Sequence, residues 1–219
     1  MPQPDVTKGF AVPLASGLKQ LNLTLPAEQQ ESLCGYLAVL DRWNRSYNLT
    51  AIHPSRWVSE LLLDALVALP FVTRGPGLGV GSVGCLPGIP VGSARRGLAF
   101  TLLDSNGKKT RFIRQIIMDL QIPNVDVVQS RVEAFQVETG FATITSRAFA
   151  ALSKFLSSTS HLLAAQGEWL AWKGENVDNE LASLPATFRH LETLPVVIPG
   201  VSGQRYLIRL TKTESTNQG

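Results

Sequence analysis

From residue 77 onward, apolar runs of strand length alternate with amphipathic runs of helix length, and this alternation restricts the fold more than any other feature. Its centre is 78–114, LGVGSVGCLPGIPVGSARRGLAFTLLDSNGKKTRFIR. The pattern reads as strand, glycine-rich turn, helix, a strand ending in an acid, and a basic helix. A nucleotide-like cofactor binds in such a unit, with the turn under it and the acid on its ribose. Downstream, 125–129, 141–146 and 167–172 read as strands, 132–135 as a helical turn, and 150–163 and 175–184 as helices. The segments 188–198 and 204–211 read as a closing antiparallel pair. The expected fold is α/β and Rossmann-like: a mostly parallel seven-stranded sheet covered on both faces, with an antiparallel edge.

Upstream of this unit the pattern is helical. Residues 1–24 carry Pro, Gly and Ser without a strong period and read as a loose or short-helical lead-in. Pro26 and Glu28 mark a helix start, and Leu33, Leu37, Leu40, Trp43 and Tyr47 follow as one stripe. In RWNRSYNLTAI (42–52), Asn44, Asn48 and Thr50 are expected to tie down the helix end through backbone hydrogen bonds. The segment 54–69 is apolar on nearly every side, which predicts a sandwiched helix. Asp64 inside it must face solvent or find a partner, because an unpaired buried carboxylate is expensive. The chain thus divides into an N-terminal helical extension, 1–75, and a core domain, 76–219.

Composition excludes several classes. With 44% hydrophobic and 17% charged residues, a largely disordered chain is not expected. The net charge of +3 is compatible with a polyanionic partner without demonstrating one. Cys34 and Cys85 have no pairing signature and no neighbouring histidines, so no zinc site is expected, and a reduced cytoplasmic setting fits best. The apolar run 61–72 contains Asp64 and Pro70 and is too short to cross a bilayer. Pro13 interrupts the N-terminal segment, so a cleaved signal is not expected.

The candidate site residues lie at strand ends. Asp104 closes the second strand 23 residues after Gly81, near the interval at which an acid accepts the ribose hydroxyls. The other reading of the same residues is a surface loop followed by an N-capping Asp. GVGSVG (79–84) fits the dinucleotide fingerprint literally, but Pro87 and Pro90 follow at once and suit a rigid loop around something smaller. Lys108, Lys109, Arg111 and Arg114 open the next helix. Lysines in a first turn oppose the helix dipole, which points either to an anionic partner such as a phosphate backbone or to a solvated polar face. Arg147 and Lys173 end the fourth and fifth strands, on the side where ligands bind in open α/β sheets. His53, His161 and His190 share no catalytic or metal spacing and are expected to be structural or exposed.

RWNRSYNLTAI (42–52), LLDALVALP (62–70), LPGIP (86–90), FTLLDSNGKKTRFIRQ (100–115), VVQSRVEAF (127–135), ITSRAFA (144–150) and WKG (172–174) together resemble the bacterial glucose-inhibited division protein B family. These are methyltransferases that modify a guanine N7 in 16S ribosomal RNA. The resemblance implies a class I methyltransferase fold using S-adenosyl-L-methionine, with N-terminal helices added. It places Gly81, Leu86, Asp104, Val132, Glu133 and Arg147 at the cofactor. Lys108, Lys109, Arg111, Arg114 and Lys173 would face RNA, the partner being 16S ribosomal RNA or the small ribosomal subunit. A cytoplasmic monomer without metal is expected. No side chain need remove a proton, so no catalytic acid or base is assigned, and Arg147 is the candidate for positioning.

The chain departs from the family pattern in its turn. Gly79 stands where the family has Asp, Val83 and Cys85 stand where it has Gly, and Leu61 stands where it has His. A second hypothesis follows from these departures: a catalytically impaired paralogue that still binds ribosomal RNA. A nicotinamide-dependent oxidoreductase rests on the literal glycine fingerprint alone.

Overall fold

A computed structural model describes residues 4–81, 86–147 and 151–213. Among them, seven strands form one sheet in the order β3-β2-β1-β4-β5-β7-β6. The strands are β1 (Gly77–Val80), β2 (Phe100–Asp104), β3 (Val125–Gln129), β4 (Phe141–Arg147), β5 (Leu163–Lys173), β6 (Phe188–Pro195) and β7 (Tyr206–Lys212). β1 to β5 pair in parallel, and β7 is antiparallel to both β5 and β6. The closing antiparallel pair forms one edge of the sheet, as expected, with β7 next to β5 and β6 outermost. This order departs from the strand order of dinucleotide-binding folds, which argues against the oxidoreductase reading.

One face of the sheet carries Phe100, Leu102, Val125, Leu170 and Trp172 against helices α1 (Pro4–Gln20), α2 (Ala27–Tyr47), α4 (Gly88–Ala94) and α5 (Gly107–Asp119). The opposite face carries Leu78, Leu103, Ile144, Trp169 and Ile208 against α6 (Leu152–Thr159) and α7 (Val177–Ala182). Apolar side chains on both faces explain why β1 and β2 read as near-continuous hydrophobic runs.

The first helix differs from its expectation. Instead of a loose lead-in, Pro4–Gln20 is one helix with Pro13 inside it. Local propensity is poor there, but Leu14 and Leu18 are buried in the main core. Gly17 lets the backbone approach closely, because a Cβ at that position would collide with the Leu63 side chain. Tertiary burial thus outweighs propensity.

The segment 54–66 is also not one regular helix. A 3₁₀ turn (Pro54–Arg56) leads into a π-helical stretch (Val58–Leu63) and a short α turn, α3 (Asp64–Leu66). Trp57, Leu61, Leu62, Ala65 and Leu66 are buried, as the all-round apolar pattern predicts. The end of α2 is tied down as expected. Thr50 N–H donates to Asn44 Oδ1 at 2.8 Å, and Asn44 Nδ2 returns a bond to the Thr50 carbonyl at 3.1 Å. Asn48 takes the left-handed conformation, φ 47°, that ends the helix.

Gly17→Val is expected to lower stability by about 1–3 kcal/mol through overpacking against Leu63. Urea unfolding followed by far-UV circular dichroism measures this, and an unchanged midpoint would contradict the close contact of α1.

Candidate functional site

Parallel pairing lines up the carboxyl ends of four strands. Val80 lies opposite Leu103, and Gly81 continues that pairing by donating its N–H to the Leu103 carbonyl at 3.0 Å. Asp104 lies opposite Gln129. Gly79 lies opposite Thr145, so continuation of the register brings Arg147 beside Gly81. One row therefore holds Arg147, Gly81 and Asp104, three residues that sequence spacing singles out separately. Gly81 adopts φ 60°, where a side chain is disfavoured, and turns the chain away from the sheet.

Asp104 is buried at the end of β2. Its Oδ1 accepts the Asn106 N–H at 2.8 Å, and its Oδ2 lies 3.5 Å from Lys109 Nζ. Asn106 caps α5 by accepting from the Lys108 and Lys109 N–H groups. The N-cap is thus Asn106, which leaves Asp104 on the strand end. Leu86 is buried in the main core just before α4. Val132 and Glu133 lie on a 3₁₀ turn (Val132–Ala134) after β3, with Val132 half-buried and Glu133 exposed.

The basic residues divide into two groups. Lys108, Arg111 and Arg114 are exposed on one side of α5, with Arg111 Nε donating to the Gly107 carbonyl at 3.2 Å. Lys109 is engaged with Asp104, and Lys173 with Glu180 Oε2 at 2.8 Å. Beside this face runs α2. Its Trp43 packs on Phe112 of α5, with ring centroids 5.5 Å apart, and on Tyr47 at 5.1 Å. Tyr47 is 48% exposed, so its ring is accessible at the end of α2. The apolar stripe of α2 includes Tyr47 in sequence, and only the packing shows that this member of the stripe faces outward.

Arg147 does not stand alone. Its Nη1 donates to the Glu60 carbonyl at 2.7 Å and lies 3.0 Å from Asp64 Oδ2. Arg205 Nη1 lies 3.6 Å from Asp64 Oδ1. Asp64 is 1% exposed, and two guanidinium groups pair with it as ions, although neither carboxylate oxygen is in hydrogen-bond geometry with a described residue. Burial pushes its carboxyl above the usual range, Arg147 and Arg205 pull it back, and Glu60 raises it further. Burial likewise pushes the Cys34 thiol up to about 11, with Glu31 adding to the shift, which leaves it a poor nucleophile. His53, His161 and His190 are exposed on separate elements and bond to Ser55, the Phe135 carbonyl and Thr193.

The chain matches a known family. The description "GidB: rRNA small subunit methyltransferase G" matches residues 29–208. The chain belongs to this family. A protein named Ribosomal RNA small subunit methyltransferase G from Stutzerimonas stutzeri (strain A1501) is 47% identical over 211 residues, covering 95% of this chain and 98% of that one. One of the same name from Chromobacterium violaceum is 49% identical over 199 residues, covering 90% and 95%. Among solved structures, the N-methyltransferase NodS from Bradyrhizobium japonicum WM9 in complex with S-adenosyl-l-homocysteine matches with a TM-score of 0.55. Its sequence identity is 13%, and the match covers 80% of this chain and 99% of that one. A predicted O-methyltransferase, Atu636 from Agrobacterium tumefaciens, matches with a TM-score of 0.55 at 15% identity, covering 69% and 81%. At those identities the likeness is one of fold, and it agrees with the expected class I methyltransferase architecture.

Of the departures from the family pattern, Leu61 is buried in the core. A Cβ at Gly79 would lie 2.9 Å from Leu102 Cδ2, 3.6 Å from Thr145 Oγ1 and 3.7 Å from Gly88 Cα. A Cβ there needs only the end of Leu102 to move. Val83 and Cys85 lie outside the described residues.

A carboxyl raised by folding contributes stability that is full below its ordinary value of 3.8 and is lost as pH rises through the raised folded value. Asp64→Asn is therefore expected to remove a component of stability that declines as pH rises above about 4. Urea unfolding across that range measures it, and an unchanged slope would contradict the assignment.

Proposed function

We propose that the protein transfers a methyl group from S-adenosyl-L-methionine to N7 of a guanine in 16S ribosomal RNA, free or within the small subunit. The observation that carries this reading is the row Asp104, Gly81 and Arg147 at one sheet edge, beside the exposed cations of α5, in a chain of this family. On this reading residues 1–75 form a helical extension on the methyltransferase domain 76–219, and the chain works as a cytoplasmic monomer.

The residues present suit the cofactor. Asp104 offers a carboxylate for two ribose hydroxyls, and its orientation is held by the Asn106 N–H and Lys109. Gly81, with no side chain and positive φ, allows close approach of the backbone. Leu86, Val132 and Glu133 would line the remainder, and Arg147 supplies a counter-charge for a carboxylate. The cofactor supplies an electrophilic methyl group. Guanine N7 already carries a free lone pair, so no protein base is required. The residues instead align the two reactants and exclude water. That agrees with a strand-end row made of an acid, a glycine and an arginine, and with three histidines placed elsewhere.

Lys108, Arg111 and Arg114 supply phosphate contacts, and the exposed Tyr47 ring offers a surface on which an unpaired base can stack. Lys109 and Lys173 act from within ion pairs, Lys109 by orienting Asp104.

Calorimetric titration with S-adenosylhomocysteine tests the cofactor site. Asp104→Ala is expected to weaken binding at least about tenfold, the equivalent of one charge-assisted hydrogen bond. No detectable binding to the native protein at millimolar ligand would sink the methyltransferase reading and leave RNA binding alone. For the RNA face, Lys108→Ala with Arg111→Ala is expected to weaken binding to small-subunit RNA and to reduce the slope of log K against log salt by about 1–2. An unaltered slope would remove α5 from the interface.

A further inference from the structure

The π-helical stretch Val58–Leu63 is the most irregular helical element among the described residues, and it touches the strand-end row through a single side chain. Within it the Asp64 N–H reaches back five residues to the Ser59 carbonyl, widening the turn. Such widened turns recur at functional sites. Here the Glu60 carbonyl accepts from outside the helix, from Arg147 Nη1. The Glu60 side chain pairs with Arg56. Asp64 is anchored on its backbone side by Trp172 Nε1, which donates to its carbonyl at 2.8 Å. Its carboxylate meets Arg147 and Arg205.

Buried ion pairs are weak stability devices, since apolar residues of similar volume serve as well or better. What this cluster supplies is geometry. Both contacts to Arg147 use the same nitrogen, Nη1: a hydrogen bond to the Glu60 carbonyl and an ion pair with Asp64 Oδ2. Among the described residues its Nε–Nη2 edge has no partner, and that edge matches a carboxylate in two parallel hydrogen bonds.

We propose that Asp64 is a positioning residue for Arg147: together with the Glu60 carbonyl it clamps Nη1 and leaves the Nε–Nη2 edge for the carboxylate of the cofactor's amino-acid moiety. This rests on the methyltransferase reading above. Asp64 touches no ligand and acts only through Arg147. The N-terminal helical segment is thereby part of the cofactor site, although it contributes no side chain to the ligand.

Two ligands separate positioning from general stability. S-adenosylhomocysteine carries the carboxylate, and 5′-methylthioadenosine has the same nucleoside without it. In calorimetric titrations, Asp64→Asn is expected to weaken S-adenosylhomocysteine about tenfold or more and to leave methylthioadenosine unchanged. Arg147→Lys retains a charge for Asp64 but has no second edge, and it should show the same selective loss. Adding Asp64→Asn to Arg147→Lys should cause no further loss. Native affinity of Asp64→Asn for S-adenosylhomocysteine would overturn the proposal, as would equal weakening of both ligands. If Asp64→Asn does not fold, Asp64→Glu, which keeps the charge but shifts it, decides together with Arg147→Lys: selective loss of S-adenosylhomocysteine in both supports the clamp, and unchanged S-adenosylhomocysteine binding in either overturns it. A native protein that binds neither ligand overturns the methyltransferase reading and the clamp with it, a result distinct from failure of the clamp alone.

Discussion

Parallel pairing across β3, β2, β1 and β4 is the constraint on which the rest of the molecule depends. Parallel strands need crossover connections, and those connections place helices on both faces. The same pairing sets every strand's carboxyl end at one edge. Asp104, Gly81 and Arg147 are distant in sequence and become neighbours because their strands are in register. A slip of one residue would turn each side chain to the opposite face and scatter the row.

The added N-terminal helices are built into that arrangement. Leu14, Leu37 and Leu62 share one core with Phe100, Leu102 and Trp172 of the sheet. Burial of Asp64 in this core would be costly if the carboxylate were unpartnered, and Arg147 and Arg205 offset the cost from two different strand ends. The energetics of a buried charge and the placement of a site arginine are therefore one problem with one solution. At the other side of the edge, Lys109 and Asn106 orient Asp104, while the exposed side of α5 keeps its remaining cations for solvent or a polyanion.

Much of this was legible in the residues. Alternation of strand and helix patterns gave the α/β class, and the 23-residue interval from Gly81 to Asp104 marked two strand ends that the register makes neighbours. Asn44 was read as a clamp on the end of α2, and it is one. Other features were not legible. Pro13 and the glycines of the first helix argued against a regular element, and the helix forms because Leu14 and Leu18 find a surface to bury. The widened turn at Val58–Leu63 lies in a segment apolar on all sides, where periodicity carries no information about helix type. Tyr47 belongs to the same stripe as Leu37 and Leu40, yet as the last residue of α2 it ends up exposed.

The sequence by itself determined the alternation of elements, the acid-ended strand, the basic helix and, through motifs in family order, membership of the ribosomal RNA methyltransferases. These are local or composition-level properties, written in spacing and residue type. Only the tertiary structure decided the partners: Asp64 with Arg147 and Arg205, Lys109 with Asp104, Lys173 with Glu180, and the inward place of β7. Pairing of this kind depends on which residues the sheet register and helix packing bring within about 4 Å of one another, a distance over which Coulomb and hydrogen-bond terms act and which sequence separation does not encode.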